Sequence, residues 1–408
     1  MPKFFSLAVL GLASMAIQLH AQPAVVVSLA SVGARIHAQN PDLAAARLSV
    51  REAAGRLRQS GRLANPDLES SVERHPNSRE GKVEMGLSQR FPVTSRLRLE
   101  REVSLFELKS SEAEVREVER QLIGQARETL VKVMAARERR ELLREKSAVA
   151  TRFADFLSEV AAKGEGSPLD ASQAKLEAAT HAMEMRQLSA SEMALMGELK
   201  PLLGMGPEDA LHIDGTLPEP SLPRSVLDPS VRPDFQVAML AARAAAHGVD
   251  LEFSRRYDDV EGGLFAAAER TQDSPEGYKD EAIVGLRFKM ALPFRNQNEG
   301  AIQEAQAKRE RKEKQVVALR RKIELEAAAA RAEMKEWEKM IREISQTLLP
   351  LADAQSTLAE STYHKGQGEI QAVLRSHDKR FQFAAARLDA HREFHLARVR
   401  YETALAQP

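Results

Sequence analysis

Apolar residues recur along most of this chain at steps of three and four, the spacing of a single helical face. Leu122, Ala126, Thr129, Val133 and Ala136 set such a stripe, and Ala150, Phe153, Leu157 and Val160 continue it. The frequent alanines let paired helices lie close together, as in a coiled coil. Two stretches break the habit. In "VEMGLSQRFP", Val83, Met85, Leu87 and Phe91 fall on alternate positions until Pro92. "VGLRFKMALP" repeats the phase with Val284, Leu286, Phe288 and Leu292, ending at Pro293. A period of two predicts strands with two unlike faces.

These twin strands belong to a larger duplication. "PDLAAARLSVREAAGRL" from Pro41 aligns without gaps on "PDFQVAMLAARAAAHGV" from Pro233, and "DLE" from Asp67 falls on "DVE" from Asp259. Gly164 falls over Gly366 at a slightly larger displacement. The extra residues enter at "ERTQDSPEGYKD", which reads as a loop tip, where insertions are tolerated. The pattern predicts one unit written twice: helix, strand, turn, strand, long helix, glycine turn, return helix. The first unit covers residues 22–206, with a hairpin at about 66–91, a long helix at about 94–162 and a tip at 163–168. The second covers 226–408, with a hairpin at about 257–293, a long helix at about 296–363 and a tip at 364–369. Residues 207–225 connect them, where Pro207, Pro218, Pro220 and Pro223 forbid a continuous helix.

Lengths narrow the picture. No proline interrupts Pro92 to Gly164, and after Pro293 none occurs before Pro350. Written as helix, each interval from hairpin to glycine turn is a rod of about 105 Å. Alternating strands of about ten residues match a tilted strand crossing a membrane. A lone hairpin of this kind suits a soluble sheet with one wet face better than a membrane strand pair. Four strands per chain are too few to close a barrel, since the smallest use about eight. An open sheet edge is not tolerated in lipid. If the strands cross a membrane, several copies must therefore pool them.

Composition removes other classes. Lys+Arg and Asp+Glu are both 59, so no excess basic charge attracts nucleic acid. The absence of cysteine excludes disulfides, thiolate metal sites, cysteine nucleophiles and a lipid anchor on an N-terminal cysteine. Lys3, the short apolar run "FFSLAVLGLASMAI" and "LHA" before Gln22 predict a secretory signal peptide over 1–21, cut near Ala21. There is no phosphate loop, dinucleotide fingerprint or nucleophile elbow. "HREFH" sets His391 and His395 one turn apart, close enough for one ion. Glu393 does not directly follow the first histidine, as a zinc-protease glutamate must. The motif therefore reads as a solvated stripe on the last helix. Neither enzyme activity, nor a cofactor, nor a bound metal is expected.

The ordered set "NPDLAAARLSVREAAGRLRQSGRLANPDLESSVE", "LSQRFP", "GEGSPLDASQAKLEAA", "LLGM", "RPDF", "LRFKMALPF" and "YHKGQGEIQAVL" resembles the TolC-like outer-membrane efflux proteins. It looks closest to the outer-membrane components of heavy-metal (CzcC-like) RND systems. The resemblance implies a mainly α fold with a small membrane β part, in which three chains form a twelve-stranded barrel continued by a periplasmic α-helical tube. It implies a homotrimer set in outer-membrane lipid and reaching into the periplasm, where it meets a periplasmic adaptor (membrane fusion) protein and an inner-membrane RND pump. The function implied is a passive exit duct for heavy-metal cations or small toxic compounds. A periplasmic coiled-coil scaffold or adaptor without a barrel, and a type I protein secretion duct, are the alternatives.

Site residues follow from the same resemblance. The two glycine turns become the periplasmic tip, gate and adaptor-docking end: Gly164, Gly166, Asp170, Tyr363, Lys365, Gly366 and Gly368. In the family an Asp after the first turn, with a Tyr and an Arg at the second, holds the tube shut. Asp170 and Tyr363 fall on the first two positions, whereas the Arg position is Gly368, a departure that leaves Lys365 or Lys163 to supply the cation. Asp170 taken alone reads equally well as a helix N-cap. The face assigned to lipid is Val83, Met85, Leu87, Phe91, Val284, Leu286, Phe288 and Leu292.

Overall fold

The computed structural model describes residues 24–76, 78–223, 228–273, 275, 277–365 and 367–406; the expected leader, part of the connector and Gly366 lie outside them. In the first unit β1 (Val25–Val27), α1 (Val32–Gln39) and α2 (Pro41–Gln59) precede a hairpin of β2 (Asp67–Arg74) and β3 (Gly81–Phe91). Then come α3 (Arg96–Ala162) and its return, α4 (Pro168–Leu202). After β4 (Leu211–Ile213) the second unit repeats the order. Helix α5 (Pro233–Ser254) leads to β5 (Val260–Asp273) and β6 (Gly277–Lys289), followed by α6 (Glu299–Glu343), α7 (Leu349–His364) and α8 (Ile370–Ala404).

Local chemistry sets these boundaries. Asn40 separates α1 from α2 by accepting the Leu43 N–H on its side chain at 2.8 Å, while Pro41 occupies the first turn, where no donor is needed. Helix α3 has 67 residues, about 100 Å of uninterrupted rod. Its counterpart is not one rod, contrary to the continuous helix expected over 296–363. A π turn at Ile344–Leu348 separates α6 from α7. Pro350 has no N–H to return to the preceding turn and its ring crowds that turn's carbonyl; one wider turn absorbs both defects.

Packing is distributed along the rods rather than gathered at a centre. One cluster joins Val27, Ile36, Leu43, Leu130, Met134 and Leu199. A second joins Ala330, Met334, Phe394, Ala397 and Tyr401, and a third, near the tips, joins Ala154, Leu157, Ala171 and Ala174. Each helix buries a stripe against its neighbours, so 5% aromatic content suffices. Of the predicted stripe, Leu122, Ala126, Thr129, Val133 and Leu157 are buried.

The connector is more structured than its prolines suggest. Its β4 pairs in parallel with β1, Val25 against Leu211 and Val27 against Ile213, with the whole first unit as the crossover. Further along it is strapped to both units. Arg137 donates to the Ile213 carbonyl at 2.8 Å, the Leu217 N–H donates to Glu138 Oε1 at 3.1 Å, and Leu222 packs on the second cluster. His395 Nε2 donates to the Pro218 carbonyl at 2.8 Å. The reading of "HREFH" as a solvated stripe is thus corrected: His395 is 3% exposed and holds the strap. Burial pushes both His391 and His395 below the usual imidazole value.

Candidate functional site

All four long strands form one antiparallel sheet in the order β2-β3-β5-β6. Its register sorts the side chains, because residues directly opposite share a face. Val72 faces Val83 and Leu68 faces Leu87. Leu87 faces Leu264 and Phe91 faces Val260. Leu264 faces Leu286, Ala266 faces Val284 and Gly262 faces Phe288. One apolar surface therefore crosses every strand, with Ser70 and Gln89 as its polar members, and it points outward: Val284 is 81% exposed. The opposite face carries Glu69, Glu84, Arg90, Glu261, Arg287 and Lys289. There Arg287 pairs with Glu69 at 3.3 Å and with Glu84, and lies 5.1 Å over the Phe265 ring.

Seven of the eight residues assigned to lipid lie on this apolar face; Leu292 does not, because β6 ends at Lys289. The supposed loop tip "ERTQDSPEGYKD" is also corrected. Both strands run on through it, pairing Glu269 with Glu281, Arg270 with Asp280 and Gln272 with Tyr278. Two parallel 2.6 Å hydrogen bonds from Arg270 to Asp280 hold this polar extension together. Among the described residues the outer edges of β2 and β6 have no strand partner, and no helix is long and apolar enough to cross a membrane.

At the far end of the rods, Gly164 takes a left-handed φ of +75° to turn α3 into α4. Ser167, not Asp170, is the N-cap: its hydroxyl accepts the Asp170 N–H at 3.4 Å, with Pro168 next in line. Asp170 stands in the first turn, where a carboxylate favours the helix dipole. Lys163 is committed to Glu159 at 2.7 Å, whereas Lys365 is exposed. In the second turn, a Cβ at Gly368 would stand 3.0 Å from the Tyr363 backbone nitrogen, so a side chain at the position where the resemblance expects arginine needs that backbone to give by a few tenths of an ångström. Gly166 is similarly close to Val160. Tyr363 joins Phe153, Ala174 and Phe381 around a cavity of about 340 Å³ between the two helix pairs. Ile370 packs on the third cluster, bringing the start of α8 against the α3–α4 tip.

Two exposed stripes escaped the pattern reading. Leu169, Leu176 and Met183 recur every seventh residue on α4, and Leu351 and Leu358 do so on α7. Heptad spacing was the signal available for both.

The chain thus combines a four-stranded sheet bearing an outward apolar face with long paired helical rods, the longest about 100 Å. Residues 33–194 match the family model for outer membrane efflux proteins. In sequence the chain is similar to the cobalt-zinc-cadmium resistance protein CzcC of Cupriavidus metallidurans, 24% identical over 375 residues, covering 90% of this chain and 84% of that one. In fold it is similar to the outer-membrane channel OprN, with a TM-score of 0.78 at 17% identity, covering 93% of this chain and 90% of that one. CusC matches with a TM-score of 0.78 at 16% identity over 93% and 92% of the two chains. VceC of Vibrio cholerae matches with 0.75 at 19% identity over 93% and 96%. The chain resembles the TolC-like outer-membrane efflux proteins in sequence and shares their fold.

Proposed function

We propose that the chain is one of three protomers of an outer-membrane exit duct that conducts heavy-metal cations or small toxic compounds passively out of the cell. The observation that carries this reading is the sheet: one apolar face over four strands, with both outer edges unpaired. Lipid would cover that face, and pairing β6 of one copy with β2 of the next would remove every edge. Three copies would then pool twelve strands, enough for a closed barrel. The heptad stripes on α4 and α7 support the same closure lower down the tube. Glu69, Glu84 and Arg287 would line the lumen.

Energy must then come from outside the duct, from an inner-membrane RND pump reached through a periplasmic adaptor. The glycine-turn end, with Asp170, Tyr363 and Lys365, is the proposed gate and docking end. Metal cargo is favoured over protein cargo by the likeness to a cobalt-zinc-cadmium resistance protein.

Fractionation and a growth test decide the matter. The protein should sediment with the outer membrane as a detergent-stable trimer with its leader removed, and a knockout should lose tolerance to zinc, cobalt or cadmium. A soluble periplasmic monomer would overturn the duct. Loss of drug tolerance alone would overturn the metal cargo.

A further inference from the structure

Where the apolar face stops, at the tube end of the sheet, arginine begins. Arg255, Arg256, Arg295, Asp258, Leu292 and Phe294 line a depression of about 580 Å³ just beyond Lys289. Arg255 is committed to Glu252 at 2.8 Å and to Glu100 at 3.4 Å. Arg256 meets only the neutral Gln297 amide oxygen, at 2.8 Å. Among the described residues neither Arg256 nor Arg295 has a carboxylate within ion-pair distance, and Asp258 is the only acid on this lining. At the opposite end of the sheet Arg270 is paired with Asp280 and Lys279 with Glu281, while among the described residues Arg74 and Arg79 stand outside ion pairs.

The loop between β6 and α6 is built to hold this arrangement. The Phe294 N–H donates to the Leu292 carbonyl at 2.8 Å, a tight turn that leaves both side chains outward, Phe294 82% exposed. Asn298, at φ +60°, donates to the Glu252 carbonyl at 2.9 Å and tethers the loop to α5. Two guanidinium groups without acid partners thus stand beside two outward apolar side chains, at the rim of a surface that suits lipid. Guanidinium groups match phosphate oxygens with paired donors, and a free phosphate would leave Leu292 and Phe294 unused.

We propose that this depression binds the phosphate headgroup of an anionic phospholipid in the leaflet nearest the helical tube, with its acyl chains against Leu292 and Phe294. This rests on the membrane-spanning reading of the sheet. It fixes the depth of the barrel by chemistry rather than by hydrophobic length alone.

The test is native mass spectrometry of the assembled protein, offered equal amounts of phosphatidylglycerol and phosphatidylcholine. The wild type should retain phosphatidylglycerol preferentially. The double substitution Arg256→Gln and Arg295→Gln should lower that preference about thirtyfold while phosphatidylcholine retention stays constant. Arg270→Gln, at the other rim, should leave the preference intact, and inorganic phosphate should not displace the lipid. A double variant with unchanged preference overturns the proposal, as does displacement by phosphate, which would mark a free-anion site. A wild type that retains both lipids equally sinks this site alone; one that retains neither sinks the membrane reading with it.

Discussion

Two glycines with nearly the same backbone angle do different work. Gly164 at the tip, φ +75°, has open space where a Cβ would stand, whereas at Gly204, φ +66°, a Cβ would lie 2.1 Å from the Gln39 carbonyl oxygen. Gly204 closes α4, with the Met205 N–H returning to the Lys200 carbonyl at 2.9 Å. Gly164→Ala should cost about 1 kcal/mol of left-handed strain. Gly204→Ala should cost that plus roughly 1–3 kcal/mol of overpacking. Urea titrations of the two variants, followed by far-UV circular dichroism, give the order directly, and equal midpoints would refute it. Histidine supplies the pH dependence. Burial, the leading cause, lowers His391 and His395 below their ordinary 6.5, so the folded chain binds fewer protons there than the unfolded one. The stability they contribute is complete above about 6.5 and is lost progressively as pH falls from there toward their lowered folded values. Glu138, raised by burial, acts with the opposite sign nearer its ordinary 4.5. The urea midpoint should therefore fall between about pH 7 and 5.5. His395→Leu should start about 1 kcal/mol lower, with the Pro218 carbonyl unpaired, and show a shallower slope.

Among the elements, the π turn between α6 and α7 sets the direction of everything beyond it. A π turn carries an extra residue, and each residue turns a helix by about 100°. That wide turn absorbs the extra residue, so deleting Ser345 together with Pro350→Ala should restore regular helix and leave Leu351 and Leu358 on their present face. Helix content and the oligomer should both survive. Inserting an alanine after Leu349, beyond the π turn, should instead rotate Leu351 and Leu358 by about 100° and cost the oligomer. Light scattering behind size exclusion, with circular dichroism on the same fractions, reads both, and an intact oligomer in the insertion variant would count against the stripe. This turn was not legible in the pattern, because Ile341, Ile344, Leu348 and Leu351 keep perfect helical steps across it. The hairpins were legible for the converse reason: a period of two stands out sharply among steps of three and four. Their polar ends were not, since Arg270 and Asp280 look like loop until cross-strand pairing is known. Three-residue β1 and β4 are too short to show any alternation. At the tip, "SPLD" did announce its cap, with Ser167 first and the acid three residues later.

At the scale of the whole molecule, one chain leaves the same surfaces unfinished at both ends. Among the described residues its sheet ends in two strands with one edge unpaired, and its rods carry two apolar stripes left exposed. Leu176 is 70% exposed and Leu358 67%, each in a heptad series. In the monomer such residues contribute little, so Leu176→Lys and Leu358→Lys should shift its stability by no more than about 0.5 kcal/mol. In a closed tube, where α4 of one copy meets α7 of the next, the same changes would press uncompensated ammonium groups into a packed seam. Either variant should therefore run as a monomer at concentrations where the wild type forms the proposed trimer, with an unaltered far-UV spectrum. If both variants assemble as the wild type does, the seam does not run along these stripes. The tube would then have to close through its charged faces, where pairs of this exposure are worth about 0–1 kcal/mol each. Sedimentation at two salt concentrations separates the outcomes, because a seam of ion pairs weakens in salt and an apolar seam does not.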